Sequence, residues 1–304
     1  MMNCYFPDIP KNPNDLRAFV EAEDSRFARE LKSLSDRVAA SPKLKILGLT
    51  GPTCSGKTTA AKRLTASLES AGHRVHTVSL DDFYHDKDVL QKRAEEDPEI
   101  EIDYDSEDTI DVALLEEKTR SLLSGFPTQM PRFDFQLGCR CEGDLLDAEE
   151  GDVYLFEGIQ LLYPKVYAIL NDPAYQDIYI CASSAIELNG VRFEPNEIRL
   201  MRRLVRDFRY RASNPDFTFY LWQSVRENEE KSIFPNVHLC ENRIDSTMPY
   251  EIGMLKPYLL EILPLVPSDS RFAPNAKEIL EKLTGIREIP SEYMMKNSLY
   301  KEFI

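Results

Sequence analysis

The chain has 304 residues, 42% hydrophobic and 10% aromatic, with 37 Lys and Arg against 52 Asp and Glu. That length and composition exclude a disordered chain and leave room for one large domain or two small ones. The net charge of −15 argues against nucleic acid or an anionic membrane as the partner, so a small anionic ligand needs a local basic pocket.

Six cysteines (Cys4, Cys54, Cys139, Cys141, Cys181, Cys240) lie scattered without the spacing of a disulfide framework, as expected of a reduced, cytoplasmic protein. Cys139-Arg140-Cys141 has no second Cys or His pair to complete a zinc site. The first residues lack a basic segment followed by an apolar core, and no run approaches about 18 apolar residues. Neither secretion nor a membrane span is expected.

In chain order, residues 1–13 are rich in Pro, Asn and Asp and read as irregular. From Asn14 to Ala40, Leu16, Phe19, Val20, Phe27, Leu31, Leu34 and Val38 recur mostly three or four apart, which predicts an amphipathic helix packed on the core or on another subunit. Ser41-Pro42 ends it. Residues 44–49 form an apolar run of strand length, residues 59–68 have helical spacing, and residues 74–80 read as a second strand, a right-handed parallel crossover.

Residues 86–106 are highly charged and read as a long loop, followed by a helix from Asp108 to Ser124. Phe126 to Asp147 is expected to be a strand pair or arm with Phe133-Asp134-Phe135 at its base. Strands follow at 152–156 and 176–182, with a short helix at 164–170 between them. Helices are predicted at 195–211 and 216–230, a last strand at 236–240, and a helix at 250–263 interrupted by Pro257. A helix at 275–285 precedes an irregular tail.

Between the first strand and its helix lies Gly51-Pro52-Thr53-Cys54-Ser55-Gly56-Lys57-Thr58, which fills every position of G-x-x-x-x-G-K-[ST]. Two glycines let the backbone wrap a phosphate chain, the helix N-terminus turns its N–H groups to the anion, Lys57 reaches the β/γ oxygens and Thr58 offers a hydroxyl to Mg²⁺. Phosphoryl transfer further asks for a metal-side acid, a base for the acceptor and cations over the developing charge. Glu157, ending a buried strand, suits the first role, with a helix cap as the competing use. Asp81 and Asp82 both follow the second strand, and only one of them should face the phosphates.

Arg199, Arg202, Arg203, Arg206, Arg209 and Arg211 pack six arginines into residues 199–211 of an acidic chain. Their spacing places Arg199, Arg202, Arg203 and Arg206 on adjoining positions of one helix face, which suggests a lid over ATP. A solvated, ion-paired helix is the competing reading.

The stretches 51–59, Ser79-Leu80-Asp81-Asp82-Phe83-Tyr84, Pro131-Arg132-Phe133-Asp134-Phe135, Phe156-Glu157-Gly158-Ile159 and Arg199-Leu200-Met201-Arg202-Arg203-Leu204-Val205-Arg206-Asp207 together resemble the uridine kinase and phosphoribulokinase family. Five motifs in the right order make the match specific. Trp222 to Arg226, Glu229 to Pro235, Tyr250-Glu251, Leu255 to Tyr258 and Ser298 to Ile304 are similar to the bacterial nucleoside kinases often fused behind a TGS domain. The likeness runs from about residue 25 to 304, without that module.

The resemblance implies an α/β P-loop NTPase three-layer fold with a mostly parallel sheet, an Arg-rich lid helix at about 195–215 and an N-terminal amphipathic helix. It implies a segment at 1–42, a kinase domain at 43–265 and a C-terminal helix and tail at 266–304. The activity implied is ATP- and Mg²⁺-dependent phosphorylation of a nucleoside 5′-hydroxyl. Gly51 to Thr59 would contact ATP, with Thr58 and Glu157 on the metal side. Asp81 matches the aspartate that accepts the hydroxyl proton, which singles it out over Asp82. Asp105, Tyr84 and Phe133 match the acceptor's neighbours, Arg206 and Arg211 the helix and lid arginines.

Phe133 stands where uridine kinases carry a tyrosine, Gly138 where they carry a base-contacting histidine, and Ala212-Ser213 where Gly-Arg follows the lid arginine. These departures leave the acceptor open among uridine, cytidine, an unusual nucleoside and another neutral or sugar-phosphate hydroxyl of the phosphoribulokinase kind; a non-catalytic ATP-binding regulatory module is the competing class. The helix at 14–40 and the tail at 290–304 offer apolar faces for a homo-oligomer.

Overall fold

The computed structural model describes residues 3–41, 43–96, 107–171 and 173–304. In chain order these form β1 (Cys4–Tyr5), α1 (Pro13–Ala39), β2 (Ile46–Thr50), α2 (Lys57–Ser70), β3 (Val75–Ser79), α3 (Lys87–Glu96) and α4 (Val112–Leu123). There follow β4 (Thr128–Asp134), β5 (Cys139–Leu146), β6 (Val153–Glu157), α5 (Pro164–Leu170), β7 (Tyr175–Cys181), β8 (Ala185–Leu188) and β9 (Val191–Phe193). The last elements are α6 (Pro195–Arg211), α7 (Pro215–Asn228), β10 (Asn242–Asp245), α8 (Glu251–Ile262) and α9 (Ala273–Lys282).

A sheet in the order β10-β7-β2-β6-β3, parallel throughout, divides the core in two. Successive side chains of a strand face opposite ways. Leu47, Leu49, Val153, Leu155, Ile178 and Ile180 therefore pack with α1, α2, α6 and α8 on one face. Ile46, Val78, Tyr154 and Phe156 pack with α4 and α5 on the other. This is the three-layer α/β P-loop fold.

Register positions the site. Leu49 of β2 lies opposite Glu157 of β6, and Glu157 lies opposite Ser79 of β3. The loop after β2, the acid ending β6 and the turn after β3 consequently emerge side by side at the carboxyl edge, where open parallel sheets bind ligands.

α1 starts on an Asn12 cap, with Pro13 in its first turn, and buries Leu16, Val20, Phe27, Leu31, Leu34 and Val38. It shares one core with α2 and with Leu299, Tyr300 and Phe303, so segments 1–42, 43–265 and 266–304 meet in a single packed interior.

Several local expectations are corrected. The charged stretch after Tyr84 contains α3 where a loop was expected; residues 97–106 lie outside the described residues. The edge strand is β10, not 236–240; Pro235 begins a helical turn at Phe234–Leu239 instead. β10 buries Ile244 and owes its extended form to the ladder with β7, which a local apolar pattern does not reveal. A small sheet, β1-β8-β9, was not anticipated.

α8 runs unbroken through Pro257. The Gly253 carbonyl freed by the missing proline N–H accepts from Ile289 N at 3.0 Å instead. Residues 126–147 form the hairpin β4–β5, with Phe133-Asp134-Phe135 at its turn, not its base.

Candidate active site

A cleft of about 330 Å³ opens at the carboxyl edge of the sheet. Thr53, Cys54, Lys57 and Thr58 line it from the phosphate loop, Asp81 and Tyr84 from the turn after β3, and Glu157 from the end of β6. Arg203, Arg206 and Arg211 of α6, Phe135 of the hairpin and Glu302 of the last turn complete the wall. Gly51, Pro52, Ser55 and Gly56 are buried in the loop itself. Asp105 lies outside the described residues.

The loop is held by unusual backbone. Cys54, a residue with a Cβ, sits in the left-handed region at φ +57°, which costs about 1–2 kcal/mol. Gly51 admits no side chain, because a Cβ there would lie 1.9 Å from the Ile180 carbonyl oxygen. The Lys57 ammonium folds back to donate to the carbonyls of Gly51 (2.8 Å) and Pro52 (3.1 Å). Burial lowers its pKa from the ordinary lysine value, partly countered by the charges of Glu157, Glu302 and Asp81.

Part of the arginine set lines the cleft, and part lies buried beneath the phosphate loop. Arg199 and Arg202 are 0% exposed. Each makes a bidentate pair, Arg199 with Glu229 (2.6 and 2.7 Å) and Arg202 with Glu251 (2.7 and 2.9 Å). Arg199 also donates to the Thr53 carbonyl (3.2 Å) and Arg202 to the Cys54 carbonyl (3.1 Å). They are girders under the phosphate loop, which corrects the expectation that they face ATP; the ion-paired reading holds for them, in the interior. A π-helical turn at Glu229–Ile233, the kind of bulge that gathers at functional sites, brings Glu229 to Arg199.

Arg203, Arg206 and Arg211 reach the cleft, and all three lean on one carboxylate, Asp207, at 3.2, 2.7 and 3.7 Å. Three guanidiniums around one acid leave an excess of positive charge aimed at the cleft. Arg209 instead lies over the Tyr258 ring. α6 starts from a Glu194–Glu197 capping box and buries Ile198, Met201, Leu204 and Val205, so this helix belongs to the core rather than to a separate flap. It ends at Ala212, left-handed at φ +50°, the position that glycine fills in the resembled family.

The two acids after β3 divide the work. Asp81 faces the cleft. Asp82 accepts from the Phe133 N–H (3.0 Å) and ties the hairpin to the turn, and burial raises its pKa. Asp86 ties the same hairpin through Arg140 N (2.7 Å). Glu157 is also raised, first by burial and against the pull of Lys57.

Tyr84, Phe133 and Phe135 form a mutual edge-to-face cluster with centroids 5.1–6.2 Å apart. Phe133 is buried behind it, and the ring on the cleft is Phe135, 61% exposed. Gly138, at φ +69°, closes the hairpin turn. A side chain there would be strained by the left-handed backbone, and its Cβ, 2.5 Å from the Lys87 side chain, would push that lysine aside.

Thr58 and Glu157 share the cleft as oxygen donors suited to Mg²⁺, which keeps most of its shell from phosphates and water. Among the described residues no group of three or more His, Cys, Asp or Glu side chains could hold a metal, and no helix is long and apolar enough to cross a membrane.

Three contacts escaped the sequence reading. Glu302 accepts from the N–H and the hydroxyl of Thr59, both at 3.2 Å, in the first turn of α2. Gln160 bridges Asp81 and Tyr84 from beneath. Phe135, not the buried Phe133, is the hairpin ring that lines the cleft. A polar residue inside the apolar run Ile159-Gln160-Leu161-Leu162 was the available signal for the second.

Fold and cleft together define a P-loop phosphotransferase of the kinase type. The profile of the Phosphoribulokinase / Uridine kinase family matches residues 46–247, and the chain belongs to that family. A uridine kinase of Staphylococcus aureus (strain JH9) is 30% identical over 180 residues, 59% of this chain and 76% of the relative. Among solved structures, a proposed fructose transport system kinase from Silicibacter sp. TM1040 aligns with a TM-score of 0.51 at 21% identity, covering 70% of this chain and 98% of that one. The D-glycerate 3-kinase of Cryptococcus neoformans aligns with a TM-score of 0.48 at 18% identity, covering 71% and 90%.

Proposed function

We propose that the chain is an ATP-dependent kinase that phosphorylates the 5′-hydroxyl of a nucleoside, uridine- or cytidine-like. The observation that carries this reading is the shared cleft: Asp81 and Tyr84 stand across from Lys57, Thr58, Arg206 and Arg211, with an exposed aromatic ring at the mouth. The site suits ATP, because the glycine-lined loop opens onto a helix N-terminus and the arginines around Asp207 are short of negative charge. ATP would supply the γ-phosphoryl group, and Mg²⁺ beside Thr58 and Glu157 would neutralise charge on the phosphates.

The chain's own residues then divide into roles. Asp81 accepts the proton of the acceptor hydroxyl; among the described residues only its Oδ1 is engaged, leaving Oδ2 for that hydroxyl. Lys57, Arg206 and Arg211 stabilise the charge that develops on the transferred group. The Phe135 ring offers a face for a planar base, backed by Tyr84 and Phe133.

A neutral acceptor is favoured over a sugar phosphate because, among the described residues, the cleft's cations come from the phosphate loop and α6. The turn and the hairpin contribute Asp81, Tyr84 and Phe135 to it. ADP release measured across a panel of nucleosides, sugar alcohols and sugar phosphates tests the reading. Turnover with pyrimidine nucleosides is expected. Preference for a sugar phosphate would move the chain toward the phosphoribulokinase side, and ATP binding without release for any acceptor would make it a regulatory module.

A further inference from the structure

We propose that Gln160 is a positioning residue for the base: its amide holds the Asp81 carboxylate and the Tyr84 hydroxyl in one fixed arrangement toward the acceptor. The proposal rests on the reading of Asp81 as the base. Gln160 lies in the helical turn Ile159–Leu162 that follows Glu157 and Gly158, and it is fully buried. Its Nε2 donates to Asp81 Oδ1 at 2.7 Å and to Tyr84 Oη at 2.7 Å. An ionised carboxylate only accepts, so the nitrogen end of the amide must face Asp81.

Packing alone does not account for this glutamine. Among the described residues its Oε1 is buried without a hydrogen-bond partner, a condition that costs about 1–3 kcal/mol. The next two residues of the turn, Leu161 and Leu162, are apolar and equally buried, and an apolar side chain at 160 would avoid the cost. Space is reserved for the amide as well. A Cβ on Gly158 would lie 2.5 Å from Gln160 Oε1 and 2.9 Å from Leu80 Cβ. A polar group held against stability, with room left for it, beside a reactive acid, is the pattern of a site that gives up stability for function.

The surroundings say what the amide does. Among the described residues, Asp82 on the same turn, Glu157 at the end of β6 and Lys57 from α2 stand within electrostatic reach of Asp81. Arg203, Arg206, Arg211, Glu229 and Glu302 also border the cleft. A hydrogen bond donated to a carboxylate fixes the direction in which its free oxygen points. Gln160 supplies that bond from a group that does not titrate, and its second N–H ties the same nitrogen to Tyr84. The link joins the end of β6, where Glu157 stands, to the turn after β3 and so couples the metal-side acid to the base.

The test uses the full chain with ATP and the best acceptor, with steady-state kinetics from about pH 6 to about pH 9 and thermal melting in parallel. Gln160→Met is expected to lower kcat about 10- to 100-fold, to leave KM for ATP within about twofold, to move the acidic limb of the rate profile toward neutral pH and to melt no lower than the wild type. Gln160→Glu must hold a proton on the introduced carboxyl to donate to Asp81, so its activity relative to wild type should rise as pH falls.

Unchanged kcat and an unchanged pH profile in Gln160→Met would overturn the positioning role while the kinase reading stands. Should that variant fail to fold, a pH-independent activity ratio for Gln160→Glu overturns it equally. A wild type that releases no ADP with any acceptor removes the kinase reading and this inference with it.

Discussion

The two walls of the cleft are built differently. On the phosphate-loop wall, strained backbone at Cys54, three residues after a glycine that admits no side chain, is clamped from behind by buried ion pairs, Arg199 with Glu229 and Arg202 with Glu251, each of which also holds a loop carbonyl. Among the described residues no fully buried ion pair sits under the Asp81 wall. A short turn, a hairpin tip and one glutamine are joined by single hydrogen bonds from Asp82, Asp86 and Gln160, and the ring facing solvent is Phe135. One wall is rigid and chemically generic, as a triphosphate site has to be. The other is assembled from separate segments and can change its acceptor without disturbing the first.

Damage to the phosphate wall should therefore appear as lost stability. Arg202→Ala leaves Glu251 buried without its guanidinium, which should cost about 3–5 kcal/mol in chemical denaturation. Arg203→Ala, whose partner Asp207 keeps two other arginines, should cost far less. Similar losses for both would erase the distinction between girder and cleft-facing arginines.

Damage to the acceptor wall should spare ATP affinity and appear in acceptor binding or turnover. Phe135→Ala should cost about 1–3 kcal/mol of acceptor affinity, read as a higher acceptor KM with unchanged KM for ATP and unchanged melting. An equal loss from Phe133→Ala without loss of stability would move the stacking role from Phe135 to Phe133.

The smallest effect should come from the seam between the last turn and the phosphate loop. Glu302 places a carboxylate on Thr59, in the first turn of α2, where phosphate would draw on the same donors. Glu302→Gln should tighten ATP by about 0.3–1 kcal/mol in a direct binding titration. Weaker binding would mean that the acid braces the helix and does not compete with phosphate.

The same contrast explains what could be read from the residues alone. Gly51 to Thr58 works through contacts a few positions apart, so its chemistry is written in consecutive letters, and so is the capping that starts α1 and α6. The helical spacing of the arginines was equally legible, but their burial was not. Glu229 and Glu251 lie 30 and 49 positions from their partners, and nothing local distinguishes Arg202 from Arg203. Gln160 meets Asp81 across 79 positions and Glu302 meets Thr59 across 243, contacts created by sheet register and by the folding back of the last turn. β10 was missed for a related reason: its strand form comes from its neighbour, not from its own composition.

The account depends on Asp81 acting on the acceptor while the phosphate wall holds ATP independently. Asp81→Asn, assayed side by side for ATP binding and for ADP release with the best acceptor, separates the two. We predict that turnover falls by at least about 10²-fold while ATP affinity stays within about threefold. Retained turnover would contradict the base assignment, and a collapse of ATP affinity would contradict the independence of the two walls.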